Sequence, residues 1–538
     1  MATDVLMTDV QIAVCRVSSV NPATGEVLRE LECASEVEVQ AAVTRAHAAQ
    51  RAWNDLGVRK RIAILREFQH GLHERKSEIA AAITQEAGKP VAEALTTEVL
   101  VVLDAVRFLI DNAYRLLRDE PVPHGNLATK LKRGRLVREP YGVVGIISPW
   151  NYPFSIPATE TLAALVAGNA VVLKPSEFTS LVALELRSLL HAAGVPQDAF
   201  QVVLGDGATG AALIHSPVGG SDFGGSTIDK LVFTGSVATG KRIAAAAAER
   251  LLPVVLELGG KDPMLVLDDA DVDVASSAAV WGAFVNAGQT CLSVERCYVH
   301  RSLYEEFLRA CAEKTKKLRV GHGIDRDIDV GPMIHERQLR IVEAHVEDAV
   351  ARGARVLAGG SRLLELGKNF YTPTVLADVA HEMRIMREET FGPVLPVMAF
   401  DNDDEAVRLA NDSEYGLAAS VWTRNGERGE RLARRIQAGT VMVNDVVSCF
   451  GISEAPHAGV KSSGVGRAHG RFGLEEMVRV KYVDSDLMPG MKKVWWYGYG
   501  ASFARQMEGF IDFQFARGLL KRLSGSLRAA GVVVRKKL

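Results

Sequence analysis

Cys291 ends the segment Asn286-Ala-Gly-Gln-Thr-Cys291, a small turn that follows a long uncharged stretch reading as a buried helix. A thiol there can add to a carbonyl carbon, although a lone cysteine in a long chain is more commonly a small buried hydrophobe. Other segments supply what such an addition needs. Glu257 opens Glu257-Leu-Gly-Gly-Lys261 at the end of an apolar run, where an acid can serve as general base and the glycines leave room for water; the plain alternative is a solvated strand-end glutamate. Asn151 sits in the proline-bracketed loop Pro149-Trp-Asn-Tyr-Pro153, where its amide either donates to an oxyanion or satisfies a turn. Phe233-Thr-Gly-Ser236, with Gly240 following, makes a strand-turn-helix junction able to receive phosphate at a helix N-terminus. It lacks the GxGxxG dinucleotide fingerprint, so alone it says little. Lys174-Pro-Ser-Glu177 suits ribose hydroxyls or is an ordinary exposed loop.

The elements around these residues predict a doubly wound α/β protein. In the first third, apolar residues at three- and four-residue spacing (Ile62, Leu65, Phe68, Leu72, Ile79) mark helices over Glu36–Ala52 and Val58–Gly88. Short apolar runs then alternate with helical stretches: 142–147, 170–173, 200–204 and 230–234. Such alternation argues for a parallel sheet. A second set follows from Val254, with 264–267, 296–300, 394–400, 418–423 and 440–444, enough for another α/β domain. Leu258-Gly259-Gly260 is the hinge candidate between the two. No internal repeat indicates a solenoid or propeller.

Length and composition agree with a large enzyme. The 538 residues exceed what one core usually organises. They are 48% hydrophobic and 24% charged with a formal net charge of −2, which argues against disorder and global nucleic-acid binding. Six cysteines (15, 33, 291, 297, 311, 449) form no dense framework and no CxxC pair, so neither a metal site nor a disulfide scaffold is expected, and a reducing, cytoplasmic compartment is. The start carries Asp4 and Asp9 and does not read as a signal peptide. The uncharged stretches 141–159 and 274–294 are broken by prolines and polar residues, and are expected to be interior rather than membrane-spanning. Composition shifts at the end, where ten Lys or Arg after Met491 face only Glu508 and Asp512.

Taken together, the segments around Asn151, Lys174, Gly235, Glu257 and Cys291, with Glu388-Glu-Thr-Phe-Gly-Pro393, resemble the aldehyde dehydrogenase family in order and spacing, from about Asn21 to Lys481. The resemblance implies an NAD-dependent enzyme, with NADP open, that oxidises an aldehyde to a carboxylate through a thioester. It implies Cys291 as nucleophile, Glu257 as general base and Asn151 as oxyanion donor. Lys174 and Glu177 would hold the adenine ribose, Gly235 and Ser236 the pyrophosphate, and Glu389 the nicotinamide ribose, with Trp150 lining the cleft and Gly207 at another cofactor-side turn. The implied fold is a Rossmann-like NAD-binding domain (1–129 and 142–258), an α/β catalytic domain (259–465), and a β oligomerisation arm (130–141 and 466–487) that makes a homodimer or homotetramer. A basic, aromatic extension (488–538) lies outside it.

One departure stands out. The family usually has Pro-Phe-Gly-Gly where this chain reads Pro456-His-Ala-Gly459, so His457 replaces an aromatic that lines the substrate tunnel. That bears on aldehyde choice, or His457 is simply packed. Two alternatives to hydrolysis stand beside the main reading. A CoA-acylating enzyme would use the same cysteine, but such relatives usually lack the glutamate at 257. A retired, binding-only member would not need cysteine, glutamate and asparagine together. The extension has two readings: an in-plane membrane helix with a stripe of Leu519, Leu520, Leu523 and Leu527, or aromatics packed on the enzyme or a second subunit.

Overall fold

The interior strands form where β-branched and aliphatic residues run without interruption, because a sheet covered on both faces offers no solvated side. In the computed structural model, which describes residues 15–215, 227–325, 327–493 and 495–530, Val143–Ile147, Ala170–Lys174 and Lys230–Thr234 are almost wholly buried. The expected features of residues 1–14 and 531–538 lie outside the described residues. The chain divides into two compact units, drawn from 1–117 with 139–479 and from 118–138 with 480–538.

The larger unit holds two parallel sheets. A six-stranded one runs in the order Gly464–Val465, Val254–Glu257, Lys230–Thr234, Val143–Ile147, Ala170–Lys174, Phe200–Val202. All its neighbours are parallel except the Gly464–Val465 edge. The helices Val58–Glu74, Leu100–Leu117 and Ser155–Ala167 share one core with this sheet through Leu65, Phe68, Val106, Leu162, Val144 and Val171. The seven-stranded sheet runs Arg355–Ala358, Thr374–Ala377, Val394–Phe400, Val294–His300, Asp262–Val266, Ala418–Trp422, Thr440–Val443, and is antiparallel only at its first pair. Its core gathers Leu265, Phe284, Tyr298, Phe307 and Val397. The uncharged stretch 141–159 is interior, as is 282–294, whereas Val274, Ser277 and Trp281 of the second stretch are exposed; no described helix is long and apolar enough to cross a membrane.

One expectation is corrected here. Cys15 and Cys33 are joined by a disulfide across the hairpin of Arg16–Val20 and Val27–Glu32, their Cα atoms 5.3 Å apart. The pairing was not legible because 18 residues separate the two and only the antiparallel register brings them opposite. The other four cysteines are free thiols.

In the smaller unit a three-stranded sheet (Val478–Asp486, Lys132–Pro140, Glu120–Val122) is tied by the Lys132–Asp484 ion pair. Two helices follow, Ala501–Phe515 and Leu519–Ala529, packed on each other.

Candidate active site

Cys291 is placed by an unusual piece of backbone. The helix Val272–Phe284 ends, and Asn286, Ala287 and Gly288 then take positive φ in succession (54°, 55° and 72°). Only glycine fits at 288, where a Cβ would sit 2.1 Å from the Gly392 carbonyl oxygen. The two non-glycine residues are strained, and local hydrogen bonds offset the cost. The Asn286 amide donates to the carbonyls of Asn151 and Gln289, at 2.9 and 3.1 Å. Its backbone N–H donates to Glu93, and Gln289 donates back to the Asn286 carbonyl. Tyr152 bonds the Thr290 hydroxyl at 2.8 Å.

Asn151 joins this turn directly, its buried side-chain amide donating to the Gln289 carbonyl at 3.1 Å. An amide nitrogen carries two donors, so one remains for a second acceptor. Behind the loop, Lys89 donates to the Asn151 carbonyl at 2.8 Å and to Glu98 at 2.6 Å, fully buried, while Glu98 accepts the Phe154 and Ser155 N–H groups. Sequence reasoning missed Lys89, Glu98 and Glu93. A lysine between Gly88 and Pro90 at a helix end looks like any solvated lysine until the fold buries it.

Glu257 ends the strand Val254–Glu257. The glycines after it are steric requirements. A Cβ on Gly259 would meet the Glu389 carboxyl at 2.5 Å, and one on Gly260 the Cys291 carbonyl oxygen at 2.5 Å. The Gly260 N–H donates to Glu389 at 3.0 Å, and the buried Lys261–Glu295 pair holds the 390–391 backbone in place. Glu257, Cys291, Glu160, Phe450, His457 and His469 line one mostly apolar pocket, whose lining holds no Lys or Arg among the described residues. Burial, then Glu160, raises the Glu257 carboxyl well above its usual range, opposed by the Ala468 backbone N–H. Burial also raises Glu160 to about 8, opposed by the bond from Thr234.

His457 belongs to this pocket rather than to inert packing. Its Nε2 lies 3.7 Å from Glu257, its ring meets Phe450 edge-on, and burial lowers its pKa to about 4, so it faces Glu257 as a neutral imidazole near neutral pH. His469, at φ 60°, stacks near it with neither ring nitrogen hydrogen-bonded among the described residues.

A nucleophilic cysteine reacts as its thiolate, yet burial first, then Asp262, Glu389 and Glu257, hold the Cys291 thiol well above its ordinary range. Loss of water around the sulfur is the main physical reason, and the carboxyl groups beside it add to the cost of a thiolate.

The pocket adjoins a cleft of about 590 Å³ that shares Cys291 and Glu257 with it. Trp150, Ser176, Glu177, Gly235, Ser236 and Glu389 line the cleft, as the sequence predicts for a dinucleotide. Ser236 caps the twelve-residue helix Val237–Ala248, accepting the Thr239 N–H, so that helix N-terminus faces the cleft. Gly240 lets the helix close on Leu258, where a Cβ would come within 2.5 Å. Lys174 stands behind the lining, buried, 3.5 Å from Glu177. Glu389, raised to about 8 by burial, is at the cysteine end. Trp150 meets Phe391 and His335 edge-on, and Phe178 meets His335, an aromatic wall that sequence reasoning did not assemble. Gly207 is not among the residues lining the cleft, although its neighbour Asp206 is close enough to act electrostatically on Lys174. It opens the helix Gly207–His215, exposed, beyond the edge strand Phe200–Val202. A dinucleotide fits this set: a helix N-terminus for phosphate, carboxyl groups for hydroxyls and flat rings beside them. Among the described residues no cluster of three or more potential metal ligands occurs.

Comparison with known proteins gives one answer. Residues 12–483 match the family model described as "Aldehyde dehydrogenase family". A 4,4'-diapolycopene aldehyde oxidase of Methylomonas sp is 41% identical over 502 residues, 92% of this chain and 91% of that one. The mitochondrial succinate-semialdehyde dehydrogenase of rice (Oryza sativa subsp. japonica) is 37% identical over 464 residues, 86% of this chain and 85% of that one. Among solved structures, an NAD-dependent aldehyde dehydrogenase from Sinorhizobium meliloti superposes with a TM-score of 0.84 at 36% identity, covering 90% of this chain and 93% of that one. An NADP-dependent enzyme of E. coli gives 0.82 at 35% identity, over 88% and 95%.

Proposed function

Since the chain belongs to the aldehyde dehydrogenase family, oxidoreductases acting on aldehydes, we propose that it oxidises an uncharged, apolar aldehyde to a carboxylate with NAD, through a thioester on Cys291. The observation that carries this is the convergence of Cys291 and Glu257 on one pocket that opens to the cleft, with Asn151 hydrogen-bonded to the turn before the cysteine.

In this reading Cys291 first releases its thiol proton to solvent, the thiolate Sγ adds to the aldehyde carbon as the C=O π bond opens, and the oxyanion is received by the second N–H of the Asn151 amide and the Cys291 backbone N–H. Bound NAD supplies the acceptor for the hydride that the thiohemiacetal carbon gives up. Glu257 takes a proton from water as it attacks the resulting thioester, the C–S bond breaks, and the carboxylate leaves. Glu177, Gly235, Ser236 and Glu389 position the cofactor, Trp150 walls it, and Lys174 orients Glu177. Glu177 favours NAD over NADP, since a 2′-phosphate beside it would meet like charge. Residues 1–129 with 142–258 serve as the NAD-binding domain and 259–465 as the catalytic domain, supported by a sheet in each. The strands of 130–141 and 466–487 serve as an oligomerisation arm.

The aldehyde class follows from charge. A semialdehyde carries a carboxylate besides its aldehyde, and the mostly apolar pocket offers that charge no lining cation among the described residues. An adjoining apolar cavity of about 30 Å³ shares Thr159, Glu160, Ala468 and His469 and is walled by Phe108, Leu109 and Met477. The diapolycopene aldehyde that names one relative is therefore the better guide to class than succinate semialdehyde. The test is NADH formation with a panel of apolar, aromatic and carboxylate-bearing aldehydes, with NAD and NADP, with and without CoA. Turnover fastest on apolar aldehydes and independent of CoA is expected. Preference for the semialdehyde, or an acyl-CoA product, would overturn the reading.

A further inference from the structure

The two C-terminal helices leave an apolar face without cover among the described residues. Leu519, Leu520, Leu523 and Leu527 are 73, 84, 54 and 80% exposed. At 3.6 residues per turn they fall within about a 100° arc of the helix Leu519–Ala529. Gly525 is on the opposite side, where its Cα abuts the backbone of Gly509 and Phe513 in the helix Ala501–Phe515. The glycine contact thus turns the leucine stripe away from its partner helix. Ile511 and Phe515 on that partner are exposed as well, as are Trp496 and Tyr497 just before it. Patches of this kind mark interaction surfaces.

Charge identifies the occupant. Over 501–530, Arg505, Arg517, Lys521, Arg522 and Arg528 outnumber Glu508 and Asp512, and Asp512 is already paired with Arg528. A second copy of the hairpin would bring the same positive charge to the contact, whereas an anionic lipid surface complements both the stripe and the cations flanking it. Eleven residues of helix reach about 16 Å, half a bilayer's apolar core, so the element lies in the interface plane.

We propose that the hairpin Ala501–Ala529 docks the enzyme on anionic membranes, with the leucine stripe among the acyl chains and the arginines and lysines at the headgroups. This goes beyond the proposed oxidation and does not depend on it. A bilayer-held enzyme would meet lipophilic aldehydes where they dissolve.

The experiment is flotation of the full chain with vesicles of phosphatidylcholine alone or with added phosphatidylglycerol, comparing wild type with Leu520→Glu/Leu527→Glu and Lys521→Glu/Arg522→Glu. These side chains are exposed; Arg522 also donates to the Ala516 carbonyl at 2.8 Å, so circular dichroism of each variant checks the hairpin, and NADH formation from a water-soluble aldehyde in the same samples reads catalysis separately. Expected are binding that needs phosphatidylglycerol and weakens with salt, a loss of at least about tenfold in the leucine variant, and roughly fivefold or more per reversed cation. Wild type failing to float, or the leucine variant floating equally, would overturn the proposal. So would a leucine variant that separates into smaller oligomers, which would assign the face to a second copy.

Discussion

Cys291 and Glu257 divide the proposed chemistry between them, and their variants should fail differently. Cys291→Ala is expected to abolish turnover while cofactor binding, followed by fluorescence quenching, persists; near-wild-type turnover would end the thioester reading. Glu257→Gln removes the base for hydrolysis but not the thiol, so a rapid NADH burst followed by slow turnover is expected in stopped flow. Equal loss of burst and steady state would make Glu257 the activator of the cysteine instead. Because burial and carboxyl groups hold the Cys291 thiol high, the reactive thiolate fraction grows with pH, and kcat/KM should climb through the alkaline range. A profile flat above neutrality would show that the thiol is already ionised. Glu160 gives a stability counterpart. Its folded pKa of about 8 exceeds its unfolded value near 4.5, so its contribution is complete below the unfolded pKa and is lost as pH rises towards and through 8. Glu160→Gln should flatten the fall in melting temperature across that window, and an unchanged slope would remove Glu160 as its source.

The elements act by holding loops at fixed distances. The loop of Asn151 follows the strand Val143–Ile147, Cys291 follows the helix Val272–Phe284 and its left-handed turn, and Glu257 ends its own strand. Lys89, beyond the end of the helix Lys76–Ala87, ties the first of these to Glu98 inside the protein. Breaking such a buried pair leaves one charge uncompensated, so Lys89→Met should cost about 3–5 kcal/mol in denaturant unfolding. The double variant Lys89→Met/Glu98→Gln should recover part of it. A single variant as stable as wild type would show that the pair does not hold the loop.

At the scale of the molecule, the smaller unit has a three-stranded sheet with Val478–Asp486 and Glu120–Val122 as its two edges, and Val480 and Tyr482 exposed on the first. Exposed strand edges are templates for pairing with another chain. Light scattering is therefore expected to give a dimer or tetramer in solution, and a monomer at micromolar concentration would refute the arm's assignment. The hairpin after that sheet presents its own separate face, with its own charge.

Much of this was legible in the sequence because it is carried by local rules. Short runs without a polar residue, such as Val143–Ile147, are best satisfied as covered strands, and Gly259, Gly260 and Gly288 occur where backbone passes within van der Waals reach of other backbone or a carboxyl group. The order of the segments around Asn151, Glu257 and Cys291 likewise carried the family. What only the tertiary structure decided is where charge is buried. Lys89, Glu98, Glu160 and His469 carry no mark that separates a buried titratable group from a solvated one, since desolvation depends on what other parts of the chain cover them. The same reason explains the raised Cys291 thiol and the exposure of the four leucines. Each depends on neighbours far apart in the chain.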